Sequence, residues 1–263
     1  MSAEDKVLIA KIGDRARQCS ENMMVTASAF LDMHERSLVA AHRWGYPDVK
    51  TVFYGGFDGA ERVVAVMLPE YVAADDFDSL CAYFDECPEN NPIMMLEVTK
   101  DKFSKPLTHR DYLGALMSLG IKREVTGDIN VSENGCRIAV LAHMADFIAE
   151  NLTKAGRGSL KAVAVPVSHT AEEKASGAEE SFTVSSMRLD SVIKNAFNLS
   201  RGAACEGIES GLVFVNDVEC CKADKKILQG DKVVFRRKGR IIVRDCSSVS
   251  KKGRIIVKIE KFA

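Results

Sequence analysis

The stretch Ile129-Asn130-Val131-Ser132-Glu133-Asn134-Gly135-Cys136-Arg137-Ile138-Ala139-Val140-Leu141 decides the reading of the chain. Ile129 to Ser132 and Cys136 to Leu141 read as two strands, and Asn134-Gly135 between them is a strong hairpin signal. Outward from the hairpin, Thr108 is placed to cap a helix that runs to Leu119, where Gly120 stops it. Ile93 to Val98 reads as the strand before that helix. On the other side, Ala145 to Leu152 reads as a helix ending near Gly156, and Leu160 to Val165 as a last strand. The order is β-α-β-β-α-β, which is ferredoxin-like. RNA-recognition-motif domains share this order, but their aromatic-rich central-strand signature is missing, so base stacking on this sheet is not expected.

Further toward the N-terminus the spacing of Val7, Leu8 and Ile12, and of Val25, Ala29 and Met33, predicts helices over the first forty residues. Gly45 and Pro47 end them. Strands at Thr51–Tyr54 and Arg62–Leu68 flank a glycine-rich turn at Gly55 to Gly59. Residues 75–91 are acidic and read as a loop. Residues 168–181, SHTAEEKASGAEES, read as a linker. Beyond them, Ser186 is expected to cap a helix over Arg188–Phe197 and Ser200 one over Arg201–Ser210, with Gly211 as the stop. Strands are expected at Leu212–Val215 and Asp231–Arg237, with a tight turn at Asn216-Asp217. A short repeat follows: Lys238-Gly-Arg-Ile-Ile-Val243 recurs as Lys252-Gly-Arg-Ile-Ile-Val257, each copy reading as a strand. The expected class is α+β, with an N-terminal helical and β-hairpin region over 1–91, a central β-α-β-β-α-β domain over 92–167 and a third domain over 182–263.

The composition fits an ordinary globular chain of 263 residues, 46% hydrophobic and 28% charged, and excludes disorder, collagen-like and low-complexity classes. No apolar run reaches the roughly 20 residues of a membrane helix. The charged start carries no signal-peptide core, so a cytoplasmic location is expected. The eight cysteines form no C-x-x-C pair and the five histidines stand at no ligand spacing from them. They read as reduced thiols, with no metal and no cofactor expected. The net charge of −1 conceals an asymmetry: residues 181–263 hold 17 Lys and Arg against 9 Asp and Glu, leaving the rest acidic. A basic last third on an acidic body points to a polyanion-binding module.

Catalytic classes find little support. Gly55-Gly56-x-x-Gly59 is neither a phosphate-binding loop nor a dinucleotide fingerprint. His109-Arg110-Asp111 has no Asn shortly after it and no Asp-Phe-Gly partner, so it reads as a helix start rather than a kinase loop. Trp44 reads as a packing aromatic, and Leu189 and Ile208 as core.

The order Met187-Arg188-Leu189-Asp190, Leu199-Ser200-Arg201, Gly211-x-Val213-x-Val215-Asn216 and Gly230-Asp231-x-Val233 resembles the S-four RNA-binding domain of the small ribosomal subunit. The usual Gly after the turn Asn is replaced by Asp217, and Gly207 is expected to weaken the second helix by about 1 kcal/mol relative to Ala. Bottom-up, two short helices and a hairpin would present one basic face. The open amides of Gly202, Ala203 and Ala204 and the helix dipole would favour a phosphate beside Arg201. The candidate RNA contacts are Arg188, Lys194, Ser200, Arg201, Gly202, Asn216, Lys222, Lys225, Lys226, Arg236, Arg237 and Lys238. His109, Arg110, Lys122 and Arg123 form a second candidate patch.

Nearly the whole chain resembles the YlmH family of bacterial S-four proteins. The resemblance rests on Phe53-Tyr54-Gly55-Gly56-Phe57-Asp58-Gly59-Ala60-Glu61-Arg62, on Leu107 to Leu116, on Leu119 to Glu124 and on Gly127-Asp128-Ile129. It implies a cytoplasmic, non-enzymatic protein that binds structured rRNA or tRNA on the large ribosomal subunit. The implied role is ribosome rescue or quality control, with a link to the cell-division gene neighbourhood. A monomer is expected. The alternatives are an RNA-modifying enzyme, for which no placed catalytic Asp or glycine-rich cofactor loop is found, and a division scaffold binding through its acidic N-terminal region.

Overall fold

The computed structural model describes residues 2–57, 59–101, 105–167, 178–216, 218–236, 238–250 and 252–262. The chain divides into two compact units, Met1–Glu172 and Glu173–Ala263.

The first unit opens with α1 (Ala3–Asn22), started by a Ser2–Asp5 capping box. The strand β1 (Thr26–Ala27) and the helix α2 (Met33–Ala41), with its Asp32–Glu35 capping box, follow. Strands β2 (Val49–Tyr54) and β3 (Val64–Pro69) pair antiparallel, giving a sheet of order β1-β3-β2. All six residues of β3 are buried because it is covered on both faces. Val64, Val66 and Leu68 pack with Tyr54, Leu80 and Phe84, whereas Ala65 and Met67 pack with Ile12, Ala16, Cys19 and Val39. That is the two-residue alternation of a strand used to fill two cores.

Two expectations fail in this region. The helical spacing of Val25, Ala29 and Met33 does not give a helix before Met33. Thr26 and Ala27 instead pair with Met67 and Val66, because β3 offers an edge for them to pair with. Residues 75–91 are not a loop. They contain α3 (Phe77–Glu86), started by an Asp76–Ser79 capping box, and a 3-10 turn at Pro88–Asn90. The helix exists because Leu80, Cys81 and Phe84 fall on one buried face while the acids face solvent.

The remainder of the unit is β4 (Ile93–Lys100), α4 (His109–Met117), β5 (Thr126–Ser132), β6 (Gly135–Leu141), α5 (Ala145–Asn151), β7 (Lys154–Ala155) and β8 (Gly158–Pro166). The sheet order is β5-β6-β4-β8-β7, and apart from the added β7 it follows the β-α-β-β-α-β reading. Leu96, Val98, Ile138 and Val140 carry α4 and α5 through Tyr112, Leu116, Ile148 and Leu152. Ile93, Met95, Ala139, Leu141 and Val167 form the other face and share a core with β3 and α3. That core runs across the expected boundary at 91/92. Gly135 earns its place by close approach rather than by a turn dihedral, since a Cβ there would lie 1.9 Å from the Val98 carbonyl oxygen.

In the second unit β9 (Ala178–Val184) precedes α6 (Leu189–Ala196) and α7 (Arg201–Glu209). Strands β10 (Val213–Val215), β11 (Val218–Glu219), β12 (Lys232–Phe235), β13 (Gly239–Val249) and β14 (Ile255–Phe262) complete an antiparallel sheet of order β11-β10-β12-β13-β14-β9. Leu189, Val192, Ile193, Ala204 and Ile208 pack on Val213, Phe235, Ile241, Val257 and Ile259. The expected linker 168–181 lies outside the described residues from 168 to 177, and its last four residues belong to β9. The expected domain start at 182 therefore cuts through β9.

Ser186 does not cap α6. Arg188 is the N-cap residue, and the first amides of the helix are satisfied from the 222–227 loop, Leu189 donating to Lys225 and Asp190 to Ala223. Ser200 does cap α7, its hydroxyl accepting from the Ala203 amide at 3.1 Å. Gly207 is required rather than merely tolerated: a Cβ there would lie 2.3 Å from the Phe235 ring, so α7 could not sit down on β12. All eight cysteines are unpaired; Cys19, Cys81, Cys136 and Cys220 are buried, while Cys221 is exposed and so is no core thiol. Among the described residues no helix is long and apolar enough to cross a membrane.

Candidate nucleic-acid interface

The second unit has a polar hollow of ≈ 250 Å³ where α6, α7 and the edge strand β9 come together. Its lining includes four cations, Arg188, Lys194, Arg201 and Arg254, with Ser185, Ser186, Ser191 and Asn195 between them. The organising group is Asp190, 2% exposed. Arg188 grips it with two hydrogen bonds, Nε to Oδ1 and Nη2 to Oδ2, both 3.1 Å. The Arg201 Nη2 lies 3.6 Å from Oδ2, and the Ser191 amide donates to Oδ1 at 2.8 Å. Burial pushes the Asp190 carboxyl up, but the bonds from Arg188 and Ser191 and the two guanidinium charges outweigh it, and the net direction is down. The Arg188 guanidinium is pushed up by its bonds to Asp190. The carboxylate holds both arginines in place without covering them, since their side chains stay 42% and 75% exposed. One buried negative charge thus fixes the position of an outward-facing positive set, an arrangement suited to a phosphate.

The sequence-derived residues separate on this framework. Arg188, Lys194 and Arg201 line the hollow. Lys226 lies opposite Arg188 in a single β-bridge, and Lys222 and Lys225 are exposed on the same loop. Gly202 is exposed in the first turn of α7. The expected cradle of three amides shrinks, because the Ala203 and Ala204 amides are already bonded to Ser200.

Asn216 is exposed, but its amide is already engaged. It adopts φ 52°, donates to Asp231 at 2.8 Å and accepts from the Lys232 amide at 2.9 Å, so its amide is committed to holding two turns. Arg236 leaves the hollow as well. Its guanidinium lies 5.4 Å from the centre of the Phe214 ring, and Phe214 alternates away from the helix-covered residues Val213 and Val215. Lys238 is exposed in the turn before β13, and Arg237 and Asp217 lie outside the described residues.

The second candidate patch is partly corrected. His109 and Arg110 are exposed at the start of α4, and Asp111 closes its capping box on Thr108. Lys122 is exposed, 3.9 Å from Glu124. Arg123 turns inward onto Thr126 and the Gly127 carbonyl, and burial lowers its guanidinium to about 10. It belongs to a lock between two motifs. Asp128 accepts from the Glu61 and Arg62 amides at 2.7 and 3.2 Å, and Arg62 donates to the Thr126 and Phe30 carbonyls at 3.1 and 3.2 Å.

On the central sheet, the face away from α4 and α5 beyond the shared core carries the row Asn130, Arg137, Glu97 and Val163, with no aromatic side chain. This agrees with the missing stacking signature. Sequence reasoning missed Asp190 as the organiser, Arg254 as a lining residue and the Arg62–Asp128–Arg123 lock. The only available signals were the two arginines flanking Asp190 and the duplicated Lys-Gly-Arg.

Comparison with known proteins adds three findings. Residues 88–169 match the family model described as "Putative RNA-binding domain in YlmH". Over 98% of its length, and 95% of the relative's, the chain is 30% identical to the ribosome-associated protein quality control protein P2 of Bacillus subtilis. Among solved structures, the cell division protein ylmH from Streptococcus pneumoniae is matched at TM-score 0.46 and 22% identity, over 63% of this chain and 93% of that one.

Proposed function

Because the chain belongs to the YlmH family, we propose that it is a non-catalytic, cytoplasmic RNA-binding protein that grips structured rRNA or tRNA through an S-four domain. On this reading the second unit is that domain, and the protein acts on the large ribosomal subunit in rescue or quality control of stalled translation. The observation that carries the reading is the hollow in which buried Asp190 fixes the exposed Arg188 and Arg201 beside Lys194. It sits in the third of the chain with an excess of basic residues. A-form RNA hides its major-groove base edges in a deep, narrow groove, so such a set would read phosphates and 2′-hydroxyls. The described match over residues 88–169 and the quality-control name of the Bacillus subtilis relative support the same direction. The central sheet would then contribute shape rather than base stacking, and the phosphate contacts would come from the hollow in the second unit.

Co-sedimentation of the full chain with separated ribosomal subunits tests the proposal. Wild type is expected with the large subunit, and Arg201→Glu is expected to be lost from it while remaining folded. A normally folded Arg201→Glu protein that still co-sediments as wild type does overturns the assignment of the face. Modification of bulk RNA by the purified protein, abolished by one polar substitution in the central sheet, overturns the non-catalytic reading.

A further inference from the structure

The two copies of Lys-Gly-Arg-Ile-Ile-Val have the same sequence but place their arginines differently. In the first copy Arg240 lies on β13 with its guanidinium 4.3 Å from the centre of the Phe262 ring. Its neighbours Ile241 and Val243 enter the core under α6 and α7, so Arg240 points to the opposite face of the sheet. In the second copy Arg254 stands at the entrance to β14 and lines the hollow with Arg188, Lys194 and Arg201. The turn that presents it is built. The Ser250 amide donates to the Arg254 carbonyl at 2.7 Å, the Arg254 amide to Ser250 Oγ at 3.1 Å, and the Gly253 amide to the Ser250 carbonyl at 2.9 Å. Gly253 takes φ 72°, a conformation glycine adopts freely. The guanidinium itself is steadied on the Thr183 carbonyl by Nη2 at 3.0 Å. One carbonyl uses one of its five N–H donors, and the side chain belongs to an exposed residue.

Three separate segments thus bring cations to one hollow: the start of α6, the start of α7 and the β13–β14 turn. Asp190 answers Arg188 and Arg201 but makes no contact with Arg254. We infer that Arg254 is an RNA-contacting residue that takes a phosphodiester of the strand whose neighbouring phosphate sits between Arg188 and Arg201. The C-terminal hairpin is then part of the grip rather than an ornament on the sheet. This rests on the RNA-binding reading above.

The test uses the full chain and a fluorescein-labelled RNA hairpin, with affinity followed by anisotropy between about 50 and 200 mM KCl. Arg254→Gln is expected to weaken binding about tenfold and to reduce the slope of log K against log salt by about 1, as expected when one phosphate contact is lost. Arg254→Lys keeps the charge and is expected to keep the slope. Arg240→Gln, the same substitution in the other copy, is expected to leave both affinity and slope at wild-type values. Wild-type affinity and slope for Arg254→Gln, with binding still lost in Arg201→Glu, overturn this inference and leave the RNA-binding reading standing. A loss shared by Arg254→Lys and matched by a lower melting midpoint is a folding effect and also overturns it. Failure of wild type to bind the hairpin in a salt-dependent way removes the RNA-binding reading itself.

Discussion

Asp128 in the first unit and Asp190 in the second each lie within the field of two arginines, yet the two clusters have opposite characters. Around Asp128 the arginines turn inward. Arg62 and Arg123 donate to the carbonyls of Phe30, Thr126 and Gly127, and burial dominates, pushing the Asp128 carboxyl up and Arg123 down to about 10. Around Asp190 the arginines turn outward, and their bonds and charges hold the carboxyl below its ordinary value despite burial. The lesson is that an Asp with two arginines is a fastener when the donors end on backbone carbonyls. It is a presenting device when the donors end on the carboxylate and leave N–H groups over. Composition cannot separate the two; the destination of each guanidinium does.

The comparison breaks most visibly if the inward cluster is cut. Arg62→Ala removes the donor to the Phe30 carbonyl and one of the two arginine donors to the Thr126 carbonyl, and should cost roughly 2–3 kcal/mol of unfolding free energy. Urea titration followed by Trp44 fluorescence reads this directly, because the chain's single tryptophan lies in that unit. RNA affinity measured well below the transition should not change. If affinity falls more than stability does, the two clusters do not divide their labour as described.

Next in size is the outward cluster. Arg201→Glu should lower RNA affinity about ten- to a hundredfold, the loss of a charged contact plus a repulsion, with a smaller loss of stability than Arg188→Glu because its guanidinium makes an ion pair but no hydrogen bond with Asp190. Arg188→Glu should do something different, because its carboxylate would face buried Asp190 and remove both of its bonds. A destabilisation of roughly 1–3 kcal/mol should accompany its loss of affinity. Equal melting curves for the two variants would show that Arg188 does not satisfy Asp190 in solution.

Acid titration should separate the clusters by sign. The folded Asp190 carboxyl is depressed, so its stabilisation is complete above the unfolded value of about 3.9 and is lost as pH falls through the lower folded value. The folded Asp128 carboxyl is raised, so its ionisation costs stability above that value, and the cost vanishes as pH falls through the raised value toward the unfolded one. Asp190→Asn should flatten the acid loss of the second unit, read by circular dichroism. Asp128→Asn should remove the opposite trend from the Trp44 signal. Parallel trends in the two variants would erase the distinction.

The smallest expected effect compares two exposed lysines. Lys194→Ala and Lys122→Ala should each leave stability within about 0.5 kcal/mol. Only Lys194→Ala should reduce the salt slope of binding by close to 1, since it lines the hollow. An equal reduction for Lys122→Ala would extend the RNA face onto the first unit.

What was legible in the sequence was what local chemistry decides. Thr108 with Asp111, Ser200 before Arg201 and the Asn134-Gly135 turn each act within four residues, and the structure places helices and a hairpin there. The buried apolar face of α3 was masked by its acids, because Asp78, Asp85 and Glu86 dominate a composition reading while Leu80, Cys81 and Phe84 set the packing. The extended Thr26–Ala27 depended on β3, forty residues away, and no local pattern announces such a partner. The same distance problem hid the site. Arg254 and Arg188 lie far apart in sequence, and only the β14–β9 pairing brings them to one hollow. Asp190 carries no sign of its role in the sequence, because the value of a carboxylate depends on which cations face it.

The core that β3 and α3 share with β4 and β6 has a practical consequence. A fragment limited to residues 92–167 would keep its helices and strand order, but it would bare Ile93, Met95, Ala139, Leu141 and Val167 on one side of the sheet. A contiguous apolar surface of that kind drives self-association. Such an excerpt would be expected to elute as oligomers or to precipitate, and any nucleic-acid affinity measured on it would report on a sticky surface that the intact chain keeps covered.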